Sequence, residues 1–263
     1  MHRKTTAILA ILGLFSVAFT ILYSINNNEY ELIFYSLVVY KVFGLLANQI
    51  SLHRYLGHGS FTTGKWRHAF LVWVSIFIGQ GSPLRVVSVH RCHHKYSDTD
   101  EDVHSPLNNS WLRLFWYTFE SKEWAKMKKM VIPKDLVRDK QIMFIHTNYT
   151  YIWIFIVLIS LLISWKLTAF YVLANVGWNV IHVTLFRVIL IHTKLPGSYR
   201  NFNTPDYSWN NKFLVLLDIG EGLHNNHHMY PNKYDQATMP REFDPAGWVI
   251  KHLFDINYKK NVS

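Results

Sequence analysis

Histidine is the residue through which this chain could do chemistry. It has 15 histidines, and eight fall into three short clusters. His53 and His58 form an HxxxxH pattern, while His90, His93 and His94 form HxxHH, as do His224, His227 and His228. Residues at i, i+3 and i+4 share one face of a helix, so each HxxHH aims three imidazoles to one side. The i+5 partner in HxxxxH turns about 140° away on an ideal α-helix. That spacing calls for a distorted or terminating helix, and Gly57 and Gly59 supply the freedom for one. Eight imidazoles exceed a single four-coordinate site and suit two metal ions with open positions. Neutral imidazole accepts iron, zinc, copper and nickel alike, so ligand type alone does not choose the metal. Iron makes sense if the task is to activate dioxygen. The isolated histidines His2, His68, His146, His182 and His252 read as packed or solvated side chains.

The elements that must carry these clusters follow from composition. Half of the 263 residues are hydrophobic and only 17% are charged, against about 25% in a soluble domain. The single cysteine, Cys92, excludes an internal disulfide framework. Four stretches are long and apolar enough to cross a bilayer as helices: about 5–25, 32–52, 141–165 and 167–192. The first follows Arg3 and Lys4 but is too long for the apolar part of a signal peptide, and it reads as a retained span. Residues 69–84 are uncharged but short, and Gly79, Gly81 and Pro83 break their end. They read as a re-entrant, interfacial or buried segment. Short connections join the first span to the second and the third to the fourth, so the spans form two hairpins. Of the 27 Lys and Arg residues, Lys166 alone falls in those tight connections, and Lys41 and Arg187 lie within spans. The positive-inside rule then puts both termini and the central segment in the cytoplasm. The net charge of +10 mainly reports that bias, and nucleic-acid binding is a poor reading. The fold expected is an all-α membrane protein with four transmembrane helices under a cytosolic helical cap (53–140 and 193–263) holding a di-metal site. Lys122, Lys126, Lys128 and Lys129 suit a surface helix on anionic head groups.

The three boxes, in this order and at these places relative to the spans, resemble those of the integral-membrane fatty acyl desaturases, in particular the Δ9, stearoyl-CoA-type branch. The flanking residues extend the likeness: His90 to Asp98 and then Asp102 to Pro106, Gly220 to Pro231, and Tyr199 to Phe202 with Asp206, Asn210 and Asn211. It covers nearly the whole chain as a single domain, 1–263. The resemblance implies a di-iron centre that uses dioxygen and two electrons to put a cis double bond, at Δ9, into a saturated acyl chain. It further implies an acyl-CoA or lipid-bound acyl substrate, and a separate electron donor of cytochrome b5 or ferredoxin type. By the same resemblance the metal ligands, and the residues on which catalysis depends, are His53, His58, His90, His93, His94, His224, His227 and His228.

The family has a ninth histidine at the cytosolic end of the fourth span. From Leu167, His182 lies about 24 Å along a helix and His192 about 39 Å, so His192 reaches the level of His53 and is the expected ligand. Four residues before that histidine the family often carries Asn holding a metal-bound water. Here the position is Val188, whereas Asn175 and Asn179 precede His182. A metal-bound histidine usually gives its other N–H to a carboxylate, and Glu221, Asp98 and Asp102 are the candidates. His104 is expected to brace the loop after the second box, Cys92 to pack as a small residue, and Arg54 and Arg91 to fix carboxylates or meet a charged head group. Trp66, Trp73, Trp111, Trp116, Trp178 and Trp209 are possible walls of an acyl tunnel. Two other functions remain: a related histidine-rich hydroxylase or oxygenase, and a membrane metal-binding protein without redox turnover.

Overall fold

The computed structural model describes residues 2–102, 104–110, 114, 131–218 and 220–254. The basic run at Lys122 to Lys129, and Trp111 and Trp116, lie outside them. The fold is all-α. Helix α1 (His2–Asn27) ends where Asn28 takes a left-handed φ of 57°, a conformation Asn tolerates. Helix α2 (Glu31–Phe43) continues without a break into a π-helix, Gly44–Gly57. A short α3 (Lys65–Val74) and α4 (Pro83–Tyr96) follow. Helix α5 (Lys140–Ile163) is started by Asp139, whose carboxylate accepts the Gln141 and Ile142 N–H groups. A single extended residue, Ser164, reverses the chain, and its hydroxyl accepts the Lys166 N–H at the start of the next helix. That helix, Trp165–His192, has α6 (Ala174–His182) at its centre.

Among the described residues four helices are long and apolar enough to cross a membrane: Lys4–Asn27, Glu31–Gly57, Lys140–Ile163 and Trp165–His192. Large hydrophobics such as Phe15, Phe34, Phe155, Leu162 and Ile163 stay exposed on them, as a lipid-facing surface requires. They form two antiparallel hairpins. The hairpins lock where α1 crosses α6: a Cβ on Gly13 would meet the Gly177 nitrogen at 2.5 Å. Only glycine permits that approach of two backbones. The segment 69–84 contains no helix long enough to cross. Leu71, Val72, Ile76 and Ile78 are fully buried, and Gly79, at φ 67°, turns the chain against Val176.

Beyond His192 the chain forms a two-stranded antiparallel ribbon, β1 (Ser198–Tyr199) with β2 (Asn210–Asn211), then α7 (Lys212–Leu217), α8 (His224–Met229) and α9 (Pro245–Leu253). Helices α4 and α8 meet the ends of the second and fourth long helices, which brings the three boxes together.

Candidate metal centre

The HxxxxH box sits where the second long helix ends. Its π-helix closes i to i+5, and the His58 N–H donates to the His53 carbonyl at 3.1 Å. This winding answers the spacing problem, because an i+5 residue returns to the same side. The segment is fixed from outside by Arg54, whose guanidinium donates to both oxygens of Asp244 at 2.6 and 3.1 Å. Arg91, in the second box, donates to the carbonyls of Leu56 and Gly57 and to both oxygens of Asp135. The third box is clamped through the two residues between its histidines. Asn225 accepts the N–H groups of Asn201 and Phe202, and Asn226 accepts from Asn201 and Asn210 and donates to Glu242.

Nine histidines converge in two groups, each with ligand atoms within 4.8 Å of one another. His53, His58, His90, His94 and His227 form the first; His93, His192, His224 and His228 form the second. Each HxxHH box divides in the same way. The i, i+4 pair stays together, and the middle histidine goes to the other group. On a helix, i+4 lies about 40° to one side of i and i+3 about 60° to the other. The fourth long helix ends in a tight turn, Leu190–His192, that places His192 in the second group. His182 is elsewhere: its Nδ1 meets the Tyr40 hydroxyl and its Nε2 lies 2.6 Å from Asp218.

Carboxylates stand behind these rings unevenly. In the second group all four Nδ1 atoms face one: His93 to Asp102 at 2.9 Å, His192 to Asp98 at 3.0 Å, His228 to Asp206 at 3.0 Å, and His224 to Glu221 at 3.4 Å. In the first group, among the described residues, only His53 does, with Glu221 at 2.5 Å. Asp98, Asp102 and Glu221 thus stand where a histidine's second N–H needs an acceptor. Asp206 was not singled out for that role by sequence. The only signal for it is its place in the stretch ahead of the third box.

Burial, and then the charge of neighbouring rings, holds His58, His90 and His94 well below the usual imidazole range. Burial likewise depresses His224 and His227. His228 is brought down to about 4, burial outweighing Asp206. For His93 burial acts downward, but Asp102 prevails and raises it. Asp102 drops to about 2, because the pairing with His93 overcomes its own burial. Most of the rings are therefore neutral, the form that binds metal.

A direct test of fit is the contact between ring nitrogens. The Nε2 atoms of His192 and His228 lie 3.0 and 2.9 Å from that of His224. All three rings face carboxylates through Nδ1, so in neutral rings the Nε2 lone pairs point at one another. Only a cation or proton between them makes that favourable. Nitrogens bound at about 2.1 Å to one ion, at right angles, lie about 3.0 Å apart. In the first group the corresponding contacts are 2.6 Å for His58 to His90, 2.9 Å for His53 to His227 and 3.0 Å for His94 to His227. The donor sets fit a metal ion in each group.

Residues 33–252 match the fatty acid desaturase family. The chain belongs to that family. It is 30% identical over 82% of its length to an acyl-CoA C20 Δ5-desaturase of Anemone leveillei, covering 68% of that protein. It is equally identical over 78% of its length to an sn-1 stearoyl-lipid 9-desaturase of Anabaena variabilis, covering 74% of it. A Δ9 acyl-lipid desaturase of Arabidopsis thaliana is 30% identical over 83% of the chain, covering 70% of the relative. Membership makes this desaturase an oxidoreductase of fatty acyl chains, and its helices make it a membrane protein.

A cavity opens beside the histidines. Leu52, Val86, Val89, Val183 and Ile191 give it aliphatic walls; five of the clustered histidines line it, with Asn48, Gln80, Arg85, His104 and Glu221 as further polar residues. The tryptophans proposed as tunnel walls do not line it among the described residues: Trp66 is 90% exposed, and Trp178 donates to the Ser36 hydroxyl. Of the flanking residues, the backbone N–H of His104 donates to Asp102, and the Cys92 sulfur accepts the Val131 N–H.

Proposed function

We propose that this desaturase introduces a cis double bond, at Δ9, into a saturated fatty acyl chain, with two iron ions held by the nine histidines. The reading is carried by one observation: two groups of inward-facing imidazoles converge beside a cavity walled in part by aliphatic side chains. Iron bound there would supply the activation of dioxygen. Two hydrogens leave adjacent methylenes and, with two electrons and two protons, reduce one dioxygen to two waters.

The chain's own residues do the rest. His53, His58, His90, His94 and His227 hold one ion; His93, His192, His224 and His228 hold the other. Glu221, Asp98, Asp102 and Asp206 fix the ring tautomers so that Nε2 faces inward. A saturated chain offers no polar handle at the reacting carbons, so the aliphatic wall must set its position by shape. Asn48, Gln80 and Arg85 are among the polar residues of the cavity available to the oxygen-bearing end of the substrate. The substrate is acyl-CoA or an acyl lipid, as in the relatives, and electrons come from a separate donor of cytochrome b5 or ferredoxin type. The Lys and Arg distribution supports a topology with both termini and the site on the cytosolic side.

The test is expression in a desaturase-deficient cell that supplies an electron donor, with fatty acids analysed by gas chromatography and double-bond localisation. New Δ9 monounsaturated chains that vanish in a His93→Ala variant are expected. Double bonds at Δ5 or Δ7 would overturn the regiochemistry alone, and hydroxylated or ketonic chains would move the protein to the oxygenases.

A further inference from the structure

Glu221 faces both histidine groups. Its Oε1 lies 2.5 Å from Nδ1 of His53 in the five-histidine group, and its Oε2 lies 3.4 Å from Nδ1 of His224 in the four-histidine group. The other carboxylates at the centre, Asp98, Asp102 and Asp206, each back one ring, all in the four-histidine group. Glu221 is only 3% exposed, and it follows α7 on a short turn that leads directly into α8. An ionised carboxylate accepts through both oxygens and donates through neither. With one oxygen on the Nδ1 side of each ring, it favours the Nδ1–H tautomer in both and leaves both Nε2 lone pairs for metal.

We infer that Glu221 is a positioning residue shared by the two metal positions, fixing one ligand of each, so that metal affinity on one side is linked to the other through this carboxylate. The inference rests on the reading of the two groups as a two-metal centre. Glutamine at this position keeps the size but offers one oxygen and one NH2 group. Facing two N–H donors, it can accept from one ring only. The other ring must turn away or shift its proton to Nε2, where the metal would bind. The charge that lay between two dications is also gone, so both positions weaken, and one of them further.

Cobalt(II) is the probe, because its d–d absorption is strong in four-coordinate sites and weak at higher coordination, so the two environments are read separately. The full-length protein in detergent, titrated with cobalt(II), is expected to take up two ions per chain. Glu221→Gln is expected to lower both affinities, by roughly 10- to 100-fold, and to shift both sets of bands. Asp206→Asn is expected to move one set only. If Glu221→Gln leaves one ion at its original affinity and spectrum, the shared role is wrong while the two-metal reading stands. Fewer than two ions in the unaltered protein would overturn both. Should Glu221→Gln fail to fold by circular dichroism, Glu221→Asp carries the test. It keeps the charge but shortens the reach, and is expected to weaken the His224 side first; unchanged binding on both sides would overturn the inference.

Discussion

The two histidine groups use one ligand type and are supported in different ways. The four-histidine group has a carboxylate behind every ring, from Asp98, Asp102, Asp206 and Glu221. The five-histidine group has only Glu221 behind His53 among the described residues. Its order comes from a main chain held in place: a π-helix, anchored through the Arg54–Asp244 side-chain pair and by Arg91 gripping the carbonyls at the helix end. The difference teaches that a ligand can be aimed either by its second N–H or by rigid main chain. It also gives the two positions unlike electrostatic surroundings, with most of the negative charge around the four-histidine group.

Four experiments probe that contrast. The largest effect is expected from removing a ligand on either side: His94→Ala and His93→Ala should each abolish desaturation while the protein still inserts in membranes. Metal analysis should show one ion lost, from opposite groups in the two variants. Next, Arg54→Leu leaves the buried Asp244 carboxylate without its charged partner, which costs about 3–5 kcal/mol. Thermal unfolding in detergent would read that loss, and the five-histidine group should release its ion first. Asp206→Asn removes the acceptor behind His228, and a loss of roughly 10- to 100-fold in metal affinity is expected. Titration should show it confined to the four-histidine group; equal weakening on both sides would erase the contrast. The smallest change is His182→Gln. It disturbs the contacts to Tyr40 and Asp218 and is expected to cost about 1–3 kcal/mol, with both metal ions retained. Loss of an ion there would bring His182 into the centre.

How much of this was legible in the sequence depends on range. The four long helices show in charge-free stretches, because the bilayer sets their length. The HxxHH boxes show in the i, i+3, i+4 spacing, and the need for a distorted helix at HxxxxH was visible because an α-helix cannot face His53 and His58 the same way. The reach of the fourth helix separates His192 from His182 by length alone. The division of each box between the two groups was not legible, since it depends on how α4 and α8 approach each other. Nor was the role of Asp206, whose distance from His228 is set by the folding of the 200–211 loop. Among the described residues the tryptophans were a poor guide to the cavity, because aromatic side chains also populate lipid-facing surfaces; aliphatic residues share its lining with histidines and other polar groups.

The central claim is that both groups hold iron and act together on an acyl chain. It is tested most directly by loading the purified protein with ferrous iron in the absence of air, counting iron per chain, and then supplying acyl substrate, electrons and dioxygen to the same sample. The account predicts two irons per chain and a monounsaturated product. One iron per chain in an active sample, or two irons with no unsaturated product, would contradict it.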